Sequence, residues 1–243
     1  QDADGYRNYF LPVVEIVGMD AILNLAGRRI YEPETFQVST ASIRRNLRGP
    51  WVVDEDPFQV NQFGHPYQGA MYHTIARSTG HGFWPSMMYT FAGSALWEIF
   101  GETSPPSRND QIASGIAGSF LGEPLHRISR LLLDRADTRP GIWRKLGSIL
   151  ASPPTGMNQA LVGRPRALPR SDAVPFSDIR VQIGGTGITA EGTAAVSSVA
   201  WDQPRFALFM DHGHPGNPNY QHERPFDYFR IESSVSGEGL EHL

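Results

Sequence analysis

Cysteine is absent from all 243 residues. That excludes disulfide frameworks, thiolate nucleophiles and cysteine-based zinc sites. No uncharged apolar run reaches the ~18 residues a membrane-crossing helix requires. The nearest approach, Phe83 to Gly101, contains Glu98 and reads as a buried helix of a bundle. A charge excess is missing as well. The net charge of −4 gives no electrostatic footprint for nucleic acid, and no nucleic-acid partner is expected. There is no Gly-x-Ser-x-Gly elbow, no P-loop and no HExxH. The usual written forms of a serine nucleophile, a phosphate cradle and a zinc-protease helix are thus all lacking.

What the chain does have is 25 Gly and 19 Pro, so loops and close small-residue packing are prominent. It starts at Gln1 rather than Met, which fits a mature chain whose export signal has been removed; a chain begun elsewhere would look the same.

The stretch from His65 to Glu123 is apolar, rich in Gly and Ala, and low in charge, yet it carries His65, His73, Arg77, Glu98, Glu102, Asp110 and Glu123. Charges inside apolar helices are costly unless paired or used, so any chemistry belongs here. Helical spacing predicts a first helix over Tyr6 to Ala26 and a short one near Ser42 to Leu47. A second main helix opens at His65-Pro66, where Pro suits the first turn, and runs to about Ser78. A third runs from Pro85 to Phe100, with Ser86, Thr90, Ser94 and Glu98 as a four-spaced polar stripe. A fourth starts at Ser107, with Asp110 three residues on as an approximate capping box that explains both residues. Glu123-Pro124 predicts a helix break, and a fifth helix follows to about Arg135. Trp143 to Ala151 is a sixth, stopped by Pro153-Pro154.

Beyond this the period changes. Residues 152–177 read as a Pro-, Gly- and Arg-rich linker. Ile179 to Ile183, Arg205 to Met210 and Tyr228 to Val235 alternate with period two, as strands do. The expected fold class is α+β: a helical domain over 1–151, then antiparallel strands over 178–243. These strands make either a small sheet or part of a larger sheet or barrel; an outer-membrane barrel needs at least about eight strands.

Several chemistries remain open. The simplest is a buried polar network, with Arg77 paired to Glu98 across the bundle. A sharper one makes His73, Glu98, Glu102 and Glu123 catalytic candidates, with His65, Arg77, Asn109 and Asp110 as binding or structural partners. Glu98 would then be a general base raised by burial. No cofactor is called for, although His65 and His73 with Glu98, Glu102 and Glu123 offer imidazole and carboxylate donors for a divalent metal. Asp54-Glu55-Asp56 lacks the spacing of a calcium loop, and a solvated turn explains it. Asp211-His212-Gly213-His214 also reads as a turn.

A set of residues prompts one resemblance: Trp51 with Asp54, Phe58 and Asn61-Gln62; His65-Pro66-Tyr67-Gln68-Gly69 with Tyr72; and Ala76-Arg77-Ser78. Trp97-Glu98, Gly101-Glu102, Pro106-Ser107, Asn109-Asp110, Gly118 and Gly122-Glu123 complete it. Over roughly Tyr6 to Asp134 the chain resembles an uncharacterised bacterial family, a domain of unknown function. The resemblance implies an exported envelope protein in the outer membrane or periplasm. A helical part would precede a β-rich part suggestive of an outer-membrane barrel, with outer-membrane lipid and other envelope subunits as partners. It implies no reaction. A lipid- or cell-wall-modifying hydrolase built on His73, Arg77 and Glu98 is the rival reading of the same residues.

Overall fold

The computed structural model describes residues 7–30, 33–133, 140–161, 177–186, 203–213, 215–216, 225–236 and 239–242. The helix start at Tyr6, the linker beyond residue 161, and His214 lie outside them. The chain divides into two compact units, residues 1–169 and 170–243.

The first unit is helical among its described residues. Its helices are α1 (Leu11–Ile30), α2 (Pro33–Phe36), α3 (Thr40–Arg48), α4 (His65–Ser78), α5 (Phe83–Phe100), α6 (Arg108–Ile112), α7 (Gly118–Leu133), α8 (Ile142–Ala151) and α9 (Pro153–Leu161). Helix α4 is the axis of the unit, with Tyr72, His73, Thr74 and Ala76 completely or almost completely buried. Its largest cluster of touching buried hydrophobics is small: Ile16, Tyr72 and Ile75, flanked by Met19 and Tyr89. The rest of the interior is unusually polar. The predicted stripe Ser86, Thr90, Ser94 and Glu98 of α5 is entirely buried. Large apolar side chains meanwhile face outward, among them Phe10, Trp84, Met88, Trp143 and Leu150.

Small residues permit this packing. A Cβ on Gly69 of α4 would overlap the Ser114 carbonyl. A Cβ on Gly118 would lie 2.6 Å from the Gly69 Cα, and one on Gly122 would lie 2.9 Å from both Ala70 O and His73 Cβ. The two backbones therefore approach closely only because these positions lack side chains.

Two expectations at prolines are corrected. Helix α7 runs straight through Pro124. An interior Pro costs about 3 kcal/mol. Here the cost is offset by the ion pairs that a helical Glu123 makes with both α4 and its own next turn. The stretch opening the expected linker is a helix instead, α9. Pro153 and Pro154 occupy its first turn, where a missing N–H costs nothing, so the pair starts a helix as readily as it stops one. The fourth helix also differs, because a π-helical turn over Ala113–Ala117 separates α6 from α7. A second such turn, Val60–Gly64, leads directly into α4.

The second unit is an antiparallel sheet in the order β1-β2-β3-β4: β1 (Ser177–Thr186), β2 (Gln203–His212), β3 (Phe229–Ser236) and β4 (Gly239–His242). The three expected strands are present, and β4 adds an edge. Register places Val181 opposite Leu208 and Phe206 opposite both Ile183 and Val235. These five residues share one face, and all are exposed. The other face carries Arg180, Asp211 and Arg230, with Asp211 held by Arg180 at 3.0 Å and by Arg230 at 2.6 Å. Asp211 and His212 thus end a strand rather than form a turn, and His212 stacks on Phe229 at 4.8 Å. The α+β class holds; a closed barrel is not seen in these four strands.

Candidate functional site

The sequence-derived candidates separate into two buried clusters, on different sides of α4. The first is built on Glu123, which is fully buried. Arg77 Nε donates to Glu123 Oε2 at 2.6 Å and Arg77 Nη2 to Oε1 at 3.0 Å. Arg127, one turn on, donates to Oε1 at 2.9 Å. His73 Nε2 stands 3.2 Å from Oε2. Arg77 Nη1 is used by the carbonyl of His81. Burial alone would raise the Glu123 carboxyl, but Arg77, His73, His126 and Arg127 outweigh it and hold the group well below its ordinary value. Burial, against the pull of Glu123, keeps His73 below the usual imidazole range. Burial keeps His126 far below it, where it meets Thr155 of α9 at 3.0 Å.

This arrangement corrects two expectations. Arg77 pairs with Glu123, not with Glu98. Nor do His73 and Glu123 suit a metal, because two guanidinium groups already share the carboxylate. Glu123-Pro124-Leu125-His126 is a Glu-x-x-His spacing that the sequence reading passed over. In the structure the pair joins α7 to α4 and α9.

The second cluster holds Glu98, Glu102, Asn109, Asp110 and His65, joined by Asp54, Asp56 and Asn61. The loop before α4 is tied to the loop before α6: Val52 N–H donates to Pro106 O at 2.9 Å, and Arg108 N–H donates to Val52 O at 2.8 Å. That brings the acidic triplet, read as a solvated turn, onto the start of α6. Ser107 caps α6 as expected, accepting from Asp110 N–H at 3.3 Å. However, Asp110 does not return the capping-box bond. The Ser107 N–H is taken by Glu98 Oε2 at 2.8 Å, which leaves the Asp110 carboxyl available for other partners.

Asn109 is the hub. Its Oδ1 accepts from Asp54 N–H at 3.1 Å and from Ser107 Oγ at 2.9 Å. Its Nδ2 donates to Asp54 Oδ1 at 2.6 Å, with Asp110 Oδ1 at 3.1 Å and Asn61 Oδ1 at 3.2 Å also in range. Glu102 accepts from Trp97 Nε1 at 2.8 Å and from Ser104 Oγ at 2.9 Å. Among the described residues no Lys or Arg pairs with Glu98, Glu102 or Asp110. Burial, reinforced by Glu102, Asp110 and Asp54, pushes Glu98 up to about 8. Burial together with Asp54 pushes Asp110 up to about 8. Burial pulls Asp54 upward too, but hydrogen bonds from Asp110, Asn109 and Ser107 outweigh it and hold Asp54 low. Asp54 and Asp110 both meet Asn109 Nδ2 and shift in opposite directions, as expected of neighbouring carboxyls of which one ionises first.

Residues 50–154 match the model of a family described as a domain of unknown function, DUF3943. The match spans somewhat less than half of the 243 residues and takes in both clusters except Thr155, the partner of His126. No curated protein and no solved structure matches the chain.

Proposed function

We propose that the chain is a bacterial cell-envelope protein with a structural, assembly or transport role, combining a periplasmic helical unit with a β-structure embedded in the outer membrane. One observation carries this reading. Strands β1 and β2 are each 10 residues long, close to the ~9–11 that span a bilayer. Along them the exposed apolar side chains Val181, Ile183, Phe206 and Leu208 lie on one face, while Arg180 and Asp211 pair on the other. Lipid on one side and a polar interior on the other is the environment such a meander suits, and up-and-down connection is how membrane barrels are built. Partners are then outer-membrane lipid and other envelope subunits. The Glu123 cluster fixes the helical unit by joining α7 to α4 through the ion pair of Glu123 with Arg77.

The test is fractionation of cells making the native protein, followed by electrophoresis of unheated and boiled outer membranes. Recovery with the outer membrane and a heat-dependent mobility shift are expected. Recovery of the intact protein solely in the soluble periplasmic fraction would overturn the reading.

A second reading, a lipid- or cell-wall-modifying hydrolase, is favoured by the oppositely shifted carboxyls Asp54 and Asp110 beside His65. Its original form, with His73, Arg77 and Glu98 in one site, loses its anion clamp, since Glu123 and the His81 carbonyl occupy Arg77. Purified protein that cleaves envelope lipid or peptidoglycan, and stops on Asp110→Asn while remaining folded, would support it. Equal cleavage by the variant would sink it.

A further inference from the structure

The second cluster contains an arrangement that hydrogen bonding alone leaves incomplete. His65 is 5 % exposed, and its Nε2 is buried without a hydrogen-bond partner among the described residues. That nitrogen faces two carboxylate oxygens, Asp110 Oδ2 at 3.4 Å and Asp56 Oδ2 at 3.6 Å. Both distances exceed the ~2.7–3.2 Å of an N–H···O bond. With the proton on Nδ1, the Nε2 lone pair confronts two acceptors. With a proton on Nε2, the donor reaches neither. Neither tautomer satisfies a buried group for which an unmade bond is costly.

The same distances fit a cation. Bonds of ~2.0–2.1 Å from one ion to imidazole nitrogen and carboxylate oxygen, at tetrahedral angles, separate the donors by about 3.3–3.4 Å. The three donor atoms all lie within 4.8 Å of one another. We propose that His65, Asp56 and Asp110 bind one divalent transition-metal cation of the zinc class, through His65 Nε2 and one oxygen from each carboxylate.

The surroundings agree with that assignment. Asp110 offers Oδ2 while its other oxygen is held by Asn109 Nδ2 at 3.1 Å, and Asn109 is itself fixed by Asp54 and Ser107. Metal-bound carboxylates are characteristically oriented by such outer hydrogen bonds. His65 opens α4 directly after one π-helical turn, and Asp110 lies in the short helix that runs into the other. Such turns occur frequently at functional sites. The side chain of Asp56 is 43 % exposed, whereas those of His65 and Asp110 are buried. The site therefore has two fixed ligands inside and one at the solvent boundary, and a fourth position on that side remains for water or substrate. Two carboxylates balance the charge of a divalent ion, and among the described residues no Lys or Arg pairs with either of them.

The experiment uses the full-length, untagged native protein, treated with chelator and titrated with Co²⁺ as a visible-absorbing stand-in for Zn²⁺. One Co²⁺ per chain, with the absorption of a four-coordinate nitrogen–oxygen site and displacement by Zn²⁺, is expected. Asp110→Asn and His65→Gln should abolish the signal. Asp56→Asn should weaken binding about 10–100-fold or more. Glu232→Gln, which removes the same charge from an exposed position of β3 outside both clusters, should bind as wild type. Asp56→Asn alters an exposed side chain and preserves the fold, so it decides the matter if the buried variants fail to fold. Loss of structure on chelation, restored by Zn²⁺, supports the site, since metal affinity is then folding free energy. The absence of saturable binding by folded wild-type protein overturns the proposal. So does binding that survives unchanged in Asp56→Asn, which would mark an adventitious ion elsewhere.

Discussion

Two buried acidic clusters flank the same helix, and they solve the problem of a buried carboxylate in opposite ways. Around Glu123 the negative charge meets Arg77, Arg127 and His73 within 3.2 Å. Around Glu98 and Asp110 there is no guanidinium or ammonium partner among the described residues, and the carboxyls take up protons instead, each rising to about 8. A compensated buried charge is a fastening, because removing one member strands the others. An uncompensated set is poorly explained by stability alone, since apolar groups would pack at lower cost. Such groups concentrate where a protein binds or transforms something. On this contrast, the first cluster has the make-up of a fastening, and the second is where the proposed metal site falls.

The largest expected effect tests the fastening. Glu123→Gln leaves two guanidinium groups and an imidazole around a neutral amide. It should destabilise the chain by about 3–5 kcal/mol, read from denaturant midpoints. A loss under about 1 kcal/mol would mean that the cluster at Glu123 is no more structural than the other, and the comparison would collapse. Next in size is Gly122→Ala, which sets a methyl group 2.9 Å from Ala70 O and His73 Cβ, between α7 and α4. Overpacking of this kind costs about 1–3 kcal/mol. If the variant is as stable as wild type, close helix approach is not what presents Glu123 to Arg77.

Most helices of the first unit and the alternation of the strands were legible in the sequence, because both rest on periodicity within single segments; α2 and α9, short and proline-opened, were not. It also singled out titratable residues that the structure buries, His65, His73, Glu98, Asp110 and Glu123, but not how they group. His65, His73 and Arg77 are spaced four or eight apart on α4, and such spacing suggests one face. Yet each step of four residues rotates about 40° and advances about 6 Å, so His65 and His73 are turned well apart and separated by about 12 Å. One meets Asp110 and the other Glu123. The true partner of Arg77 is 46 residues away, and only the glycine contact between α4 and α7 selects it over Glu98. Asp54 and Asp56 read as a solvated turn for a related reason. They were judged by the spacing of a continuous cation loop, whereas this cluster is assembled from three separate segments.

The smallest stability change carries the sharpest test of the second cluster. Gln at position 98 can accept the Ser107 N–H just as the protonated carboxyl does, so Glu98→Gln should cost less than about 1 kcal/mol at neutral pH. Its signature lies in the pH dependence. Glu98 has a folded value of about 8 against an ordinary 4.5, and Asp20, raised by burial despite its bond with Tyr72, about 7 against 3.8. Between those limits the folded chain keeps protons that the unfolded chain has released. Stability from Glu98 is therefore complete below about pH 4.5 and is lost as pH rises toward 8. The slope from one such group is at most about 1.4 kcal/mol per pH unit. Glu98→Gln removes its share, so the variant should gain on wild type steadily from pH 5 to pH 8, with chelator present throughout. Glu123 has the reverse sign. Its lowered carboxyl contributes stability above 4.5 that is lost as pH falls, so Glu123→Gln should flatten the acid limb and leave the alkaline one untouched. Parallel curves for wild type and Glu98→Gln would show Glu98 ionised in both states. The second cluster would then hold a counter-charge even without metal, and the contrast with Glu123 would lose its basis.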